Sequence, residues 1–168
     1  MELIIDNFEI KSFKFKSLKE INDYRFMTRT SQSKFFTNII FSYYKVISND
    51  IIYYYNKKSK LWVEVDKNQY HSFVFNFFDN SIVDIKKVLK TTEDIDEQVE
   101  KKIKELMNSF DNKSYLNDII DRSFSNLYDS QFITKLNDNP EYLPIKNGKK
   151  INLKTLEITD RTCLDYFT

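Results

Sequence analysis

Glycine is almost absent from this sequence, since Gly148 is the only one among 168 residues. A Walker A loop and a dinucleotide-binding turn each need several positions without a Cβ atom. The sequence therefore excludes ATPase and Rossmann chemistry from this chain. Alanine is missing altogether and proline occurs twice. The abundant residues are Lys, Ile, Asn, Phe and Tyr, whose codons are A/T-rich, so the composition indicates a genomic bias.

Cysteine and histidine are equally scarce, with only Cys163 and His71 present. An internal disulfide is excluded, and no metal site is expected. His71 is predicted to be an ordinary helical residue and Cys163 a small buried hydrophobe. No catalytic residue is predicted, and a stand-alone enzyme would require these two side chains to be adjacent. Four acidic residues at a helix start are predicted to form a solvated face rather than a metal cluster: Asp94, Asp96, Glu97 and Glu100.

Long hydrophobic runs are also lacking, because no run approaches the roughly 18 residues of a membrane span. The N-terminus carries acidic residues where a signal peptide has basic ones. We therefore expect an intracellular protein with no membrane partner. Hydrophobic residues make up 41% and aromatic residues 16% of the chain, which is enough for a packed core.

The hydrophobic spacing predicts a mostly helical α+β fold. Spacing of three and four residues predicts helices over 31–47, from an Asp66 cap to Leu89, over 93–110 and over 114–127, with a short turn at 131–136. Two β-type runs, 51–55 and 61–65, predict a hairpin that contains Trp62. Asn147-Gly148 predicts a second hairpin near the C-terminus, since both residues tolerate positive φ. Residues 11–16 alternate like a strand, with Phe13 and Phe15 on one face.

Two local groups of basic residues are candidate nucleic-acid contacts, although the net charge is only +1. Residues 11–34 hold seven basic and two acidic side chains, interleaved with Phe13, Phe15, Tyr24 and Phe26. Proteins that bind single strands combine such aromatic and basic residues. A solvated amphipathic segment and a solvated turn are the competing interpretations. The candidate contacts are Lys14, Lys16, Arg25 and Arg29 in the first group and Lys146, Lys149 and Lys150 in the second.

The last thirty residues, NPEYLPIKNGKKINLKTLEITDRTCLDYFT, carry a resemblance to a known family. Their Leu-Pro-hydrophobic-x-Asn-Gly pattern, followed by a strand ending in Leu, a Glu and a Tyr-Phe-Thr ending, resembles the N-terminal domain of the poxvirus-type (D-five) helicases. The run at 53–66, with its Trp, is similar to a hairpin of the same domain. The matching residues are Trp62, Leu143, Pro144, Asn147, Gly148, Leu153, Glu157 and Tyr166.

The resemblance covers residues 31–168 and leaves 1–30 as a basic N-terminal segment. It implies a non-catalytic middle domain that links a primase to a superfamily-3 helicase ATPase, in DNA replication by large DNA viruses, phages or plasmids. ATP and Mg²⁺ would belong to that ATPase, as would ATP hydrolysis, and the parent protein would form a hexamer on DNA. The implied location is a viral replication site within the host cell.

One residue departs from the family pattern. Leu156 stands where the family usually has Gly, so a tight turn with positive φ is not expected there and the connection is expected to be wider. The alternative function, from a different class, is a protein-interaction adaptor that recruits replication or host factors through an aromatic surface.

Overall fold

Helices and two small antiparallel sheets make up the α+β fold of the computed structural model, which describes residues 11–48 and 50–168. About half of the described residues are helical. The helices are α1 Leu18–Phe26, α2 Arg29–Ile40, α3 Lys67–Thr91, α4 Glu97–Phe110, α5 Lys113–Leu127 and α6 Phe132–Lys135. The strands are β1 Tyr44–Val46, β2 Ile52–Asn56, β3 Leu61–Val65, β4 Tyr142–Ile145, β5 Lys149–Asn152 and β6 Ile158–Asp160.

The chain divides into two compact units. We call residues 11–39 and 71–126 the helical unit, and residues 40–70 and 127–168 the sheet unit. The predicted boundary between residues 30 and 31 falls inside α2. Within the described ranges, no helix is both long enough and apolar enough to cross a membrane.

Side-chain caps fix where the main helices begin. Asp96 Oδ1 accepts hydrogen bonds from the Gln98 and Val99 main-chain nitrogens at the start of α4, and Asn112 Oδ1 does the same for Ser114 and Tyr115 at α5. These bonds satisfy amide groups that have no partner within the helix. The predicted start of α4 at residue 93 is therefore four residues too early, and Asp94 instead has a φ of 52°.

Aromatic rings fill the core of the helical unit. Phe13 contacts the rings of Tyr24, Phe77 and Phe78, with centroids 4.8, 4.9 and 5.2 Å away. The prediction of a strand at 11–16 is wrong, because Lys14 has a φ of 53° that interrupts the extended backbone. The alternation still places Phe13 and Phe15 inside and leaves Lys14 and its neighbour Lys16 exposed.

Strands β1, β2 and β3 form one antiparallel sheet of the sheet unit, in that order. The prediction of a helix over 31–47 fails in its second half, because α2 ends at Ile40 and residues 44–46 form β1. All three residues of β1 are buried, and Tyr44 pairs with Tyr54 of β2 with ring centroids 5.3 Å apart. Tyr and Val favour strands, and pairing with β2 satisfies main-chain groups at the edge of the sheet.

Strands β4, β5 and β6 form the second sheet, of which β6 was not predicted. Asn147 and Gly148 connect β4 to β5 with φ values of 60° and 68°. Leu156 lies in the connection from β5 to β6 and has a φ of 61°. The expectation that positive φ would be lost without glycine at this position is therefore wrong. Leucine adopts the left-handed conformation here, at a cost of roughly 1–2 kcal/mol.

This conformation predicts that Leu156→Gly stabilises the protein by about 0.5–1 kcal/mol, because glycine removes the left-handed strain and the leucine side chain is 69% exposed. Urea denaturation measures the change. Leu153→Gly is the matched control, since Leu153 is also exposed and is not among the residues with positive φ. It should lower stability by about 0.5–1 kcal/mol. Equal losses for both variants would contradict the prediction.

Substitution of Gly148 is expected to destabilise the protein, in contrast to Leu156→Gly. A Cβ atom at this position would lie 2.8 Å from Cδ of Lys60, so Gly148→Ala should lower the free energy of unfolding by about 1–2 kcal/mol through backbone strain and steric contact. Measuring the same substitution in a Lys60→Ala background separates the two causes, because only the backbone strain remains there. An unchanged denaturation midpoint in both backgrounds would refute this account.

Candidate nucleic-acid interface

The first basic group lies in the helical unit. Lys14 and Lys16 are exposed on the segment before α1. Arg25 belongs to the last turn of α1, and Arg29 is the first residue of α2. The structure brings these two arginines to the same cleft, so two of the four predicted contacts share one concave surface.

The cleft consists of two neighbouring recesses of about 430 and 380 Å³. They have four lining residues in common: Arg29, Glu105, Ser109 and Tyr115. The larger recess adds Arg25, Gln32 and Lys102 among others, and the smaller one adds Asn108, Asn112 and Ser114. The lining is thus rich in hydrogen-bond donors. A cavity of this size is comparable to ordinary small-molecule sites.

Arg29 is held in place by an aromatic ring and a carboxylate. Its Cζ lies 3.8 Å from the ring centroid of Tyr115, and its Nη1 lies 3.7 Å from Asp118 Oδ2. Asp118 also accepts a hydrogen bond of 2.8 Å from Arg122 Nε. The Asp118 carboxylate therefore interacts with two guanidinium groups. These three side chains together keep a net positive charge beside the cleft.

Tyr115 lines both recesses of the cleft and takes part in a buried hydrogen-bond network. Its hydroxyl donates to Gln32 Oε1 at 3.0 Å and lies 3.2 Å from the Tyr24 hydroxyl. Gln32 Nε2 in turn donates to the Tyr24 carbonyl at 3.2 Å. Burial raises the pKa of Tyr115 to about 12, although the Tyr24 hydrogen bond and the Arg29 guanidinium oppose the shift. Burial also raises the pKa of Tyr24 well above its usual value.

The cleft residues on α4 and α5 were not predicted from the sequence. Lys102, Glu105 and Ser109 recur at three- and four-residue spacing on the polar face of α4, and Lys102 Nζ lies 3.0 Å from Glu105 Oε2. This spacing is the sequence feature that could have indicated these residues, but any solvated helix face shows the same spacing. Nothing in the sequence indicates that this face lies beside residues 25–32.

Most aromatic residues of the first basic group are not available to stack on bases. Phe15 and Tyr24 are buried, and Phe13 lies among the rings of the helical core. The interpretation of these three as base-stacking residues is therefore wrong, because their hydrophobic surface is already covered by protein. Phe26 differs, since it is 75% exposed.

The second basic group lies at the β4–β5 turn of the sheet unit, and two of its three lysines have carboxylate partners. Lys149 Nζ lies 3.2 Å from Asp160 Oδ2, and Lys150 Nζ forms an ion pair with Asp165. Lys146 is exposed. Two of these three predicted contacts thus have carboxylate partners, although Asp160 also pairs with Lys60 at 2.9 Å. The first group differs in that two of its cations line one recess.

Residues that carry the family resemblance meet within the sheet unit. The Trp62 indole donates to the Cys163 carbonyl at 2.9 Å, and the Trp62 main-chain nitrogen donates to the Phe167 carbonyl at 2.7 Å. The Trp62 and Tyr166 rings both contact Phe132, at 4.8 and 5.7 Å. On β4, Leu143 is exposed and Pro144 half-buried, while Leu153 is exposed just after β5. The contacts of Trp62 and Tyr166 give them a structural role.

The catalytic candidates lie in separate units. His71 is half-buried on α3, with its ring 6.2 Å from that of Phe75, and Cys163 packs against the cluster of Tyr55, Trp62 and Phe132. Of the four acidic residues near α4, Asp96 caps the helix and Glu100 pairs with Lys104 at 2.7 Å. Across residues 11–48 and 50–168, no group of three or more His, Cys, Asp or Glu side chains could hold a metal ion.

The buried network predicts that Tyr115→Phe lowers the free energy of unfolding by about 1–3 kcal/mol, because the Gln32 and Tyr24 side chains each lose a buried partner. Chemical denaturation measures the loss. Tyr128→Phe is the control, since Tyr128 is 58% exposed and surface substitutions usually change stability by less than about 0.5 kcal/mol. Equal effects from both variants would contradict a structural network at Tyr115.

The raised pKa of Tyr115 also predicts a pH dependence. The unfolded chain releases the tyrosine proton near pH 10 and the folded protein near pH 12, so the stabilising contribution is complete below pH 10 and is lost between these values. Urea midpoints at pH 8 and pH 11 should therefore differ less in Tyr115→Phe than in the wild-type protein. An identical difference in the two proteins would overturn this assignment.

The lining of the cleft thus combines two guanidinium groups, an ammonium group, neutral donors and one carboxylate, that of Glu105. Such a surface can bind an anion and can hydrogen-bond to a ligand with several acceptors. Comparison with known proteins found no protein family whose model matches the chain and no curated protein that resembles it significantly.

Proposed function

We propose that this chain is the non-catalytic middle domain of a viral-type DNA helicase–primase and that it engages DNA through the helical unit. One observation carries the DNA-binding part, namely that Arg25 and Arg29 line the same polar cleft. Lys14 and Lys16 are exposed in the same unit. Guanidinium groups bind phosphate through two parallel hydrogen bonds, which suits a cleft that tracks a nucleic-acid backbone.

The larger context of the proposal comes from the C-terminal pattern and the Trp-containing hairpin. Residues that share the pattern pack together, with Trp62 bonded to the carbonyls of Cys163 and Phe167. This contact supports interpreting the pattern as one structural module, here a helical domain with a Trp-bearing hairpin and an Asn-Gly hairpin. In the proposed parent protein, the module links a primase to a hexameric ATPase that uses ATP and Mg²⁺.

Charge reversal tests the DNA-binding part. The triple variant Lys14→Glu, Lys16→Glu and Arg25→Glu should bind single-stranded DNA at least about tenfold more weakly at low salt. The slope of log K against log salt should also become less negative by about 2, because three phosphate contacts are lost and each contributes roughly 0.7 for a single strand. Fluorescence anisotropy with a labelled oligonucleotide at several salt concentrations measures both quantities.

A charge-matched control separates a local effect from a change in net charge. Lys86, Lys90 and Lys101 are exposed in the same unit, and reversing all three changes the net charge by the same amount. This control should bind nearly as well as the wild-type protein. Unchanged binding by the first triple variant would refute the proposed interface.

The second candidate function is a protein-interaction adaptor. It is favoured by the second sheet, where Leu143 and Ile158 pair with opposite sides of Ile151 and are both more than half exposed. An adaptor would not need to bind DNA. Wild-type protein that fails to bind labelled DNA at low salt would therefore favour this function over the first.

A further inference from the structure

Phe26 is the aromatic side chain that the basic group keeps at the surface. Its exposed fraction of 75% is the largest among the exposed large hydrophobic residues of the described chain. Phe13, Phe15 and Tyr24, which alternate with the same basic residues, lie in the core. The ring therefore contributes little to the hydrophobic core, which leaves its surface available to a ligand.

Arg25 joins this ring to the cleft. Its Cζ lies 4.2 Å from the centroid of the Phe26 ring, and the same side chain lines the larger recess. Arg25 Nε also donates to Asn22 Oδ1 at 3.2 Å, which fixes the guanidinium on one face of the ring. The exposed fraction of Phe26 leaves ring surface for an incoming planar group, and Arg25 is the cation that connects this ring to the recess.

The recess supplies a second arginine in a similar arrangement. Arg29 lies on the ring of Tyr115 at 3.8 Å, and its side chain is 39% exposed. A guanidinium stacked on an aromatic ring can bind oxygen atoms along its edge, and Asp118, which lies 3.7 Å from Nη1 of Arg29, is shared with Arg122. Lys102 adds a third cation to the lining, although Glu105 partly neutralises it at 3.0 Å.

We infer that Phe26, Arg25 and Arg29 form a subsite for one nucleotide of single-stranded DNA. The base stacks on the exposed surface of the Phe26 ring, and the adjoining phosphate is bound by the two guanidinium groups. This inference rests on the proposed function and specifies its ligand. Duplex DNA is a poor ligand for this subsite, because both faces of each base are already covered by neighbouring base pairs.

The test compares single-stranded and duplex oligonucleotides of equal length by fluorescence anisotropy. Stacking on an aromatic side chain contributes about 1–3 kcal/mol per base, so Phe26→Ala should weaken single-strand binding about 5- to 150-fold. Duplex binding should stay unchanged. The salt slope should also stay unchanged, since the phenyl ring neutralises no phosphate. Phe26→Trp should restore single-strand binding, because indole also stacks on bases.

Phe41 provides the matched control. It is also an exposed phenylalanine with a cation over its ring, since Lys45 Nζ lies 3.8 Å from the ring centroid. It belongs to the sheet unit, and the cation over its ring is Lys45 and not an arginine of the cleft. Phe41→Ala should therefore leave single-strand binding at the wild-type value. Circular dichroism and thermal denaturation show whether both alanine variants remain folded.

The outcomes separate the subsite from the proposed function. If Phe26→Ala binds single strands as the wild-type protein does, while charge reversal weakens binding, the stacking subsite is wrong and the DNA-binding proposal stands. Equal losses for single strands and duplex, or equal losses for Phe26→Ala and Phe41→Ala, also overturn the subsite. If the wild-type protein binds neither DNA, both proposals fail together.

Discussion

The absence of alanine and the near absence of glycine constrain how this chain can pack. Small apolar residues let helices approach each other closely, but this sequence has no alanine and its one glycine lies in the turn between β4 and β5. Aromatic rings occupy the interiors of both units instead, as Phe13, Phe77 and Phe78 do in the helical unit and Tyr44, Tyr54 and Tyr70 do in the sheet unit. Packing and polar contacts in each unit depend on how these rings fit together.

Tyrosine and tryptophan bring polar atoms into such interiors, and these atoms need partners. In the sheet unit, the Trp62 indole meets this need at the Cys163 carbonyl and thereby fastens the C-terminal residues to β3. In the helical unit, the Tyr115 hydroxyl joins Gln32 and Tyr24, and the Tyr115 ring supports Arg29. Tyr115, which fills space in the core, thus also positions the Arg29 guanidinium at the surface.

The sequence predicted the regular helices better than the irregular segments. Helices α4 and α5 follow directly from the apolar stripe through Ile103, Leu106 and Phe110 and from the break at 111–113. Strand β1 was missed because Tyr43 and Ile47 continue a helical spacing, while its pairing partner Tyr54 lies ten residues beyond Tyr44. The local spacing of hydrophobic residues does not reveal pairing between segments this far apart. The left-handed Leu156 was missed for a different reason. The residue type alone does not show that its main-chain nitrogen donates to the Asn152 carbonyl at 2.8 Å in spite of the strain.

The candidate site was only half visible in the sequence. Local charge density identified Arg25 and Arg29, which lie four residues apart, but Lys102 and Tyr115 come from α4 and α5. Charge density also gave equal weight to Lys149 and Lys150, because it does not show that Asp160 and Asp165 fold back onto them. Side chains brought together by the tertiary structure decide which cations keep their charge available.

A net charge of +1 limits what electrostatics alone can contribute to binding DNA. Phosphate contacts weaken steeply as salt rises, because their free energy comes mainly from released counterions. Stacking of a base on a ring releases no counterions and therefore keeps its strength at physiological salt. If Phe26 binds a base as proposed, its ring adds to this nearly neutral protein a component of affinity that salt does not screen. In the proposed subsite, the same ring would distinguish a single strand, whose base faces are accessible, from a duplex that offers only its phosphates.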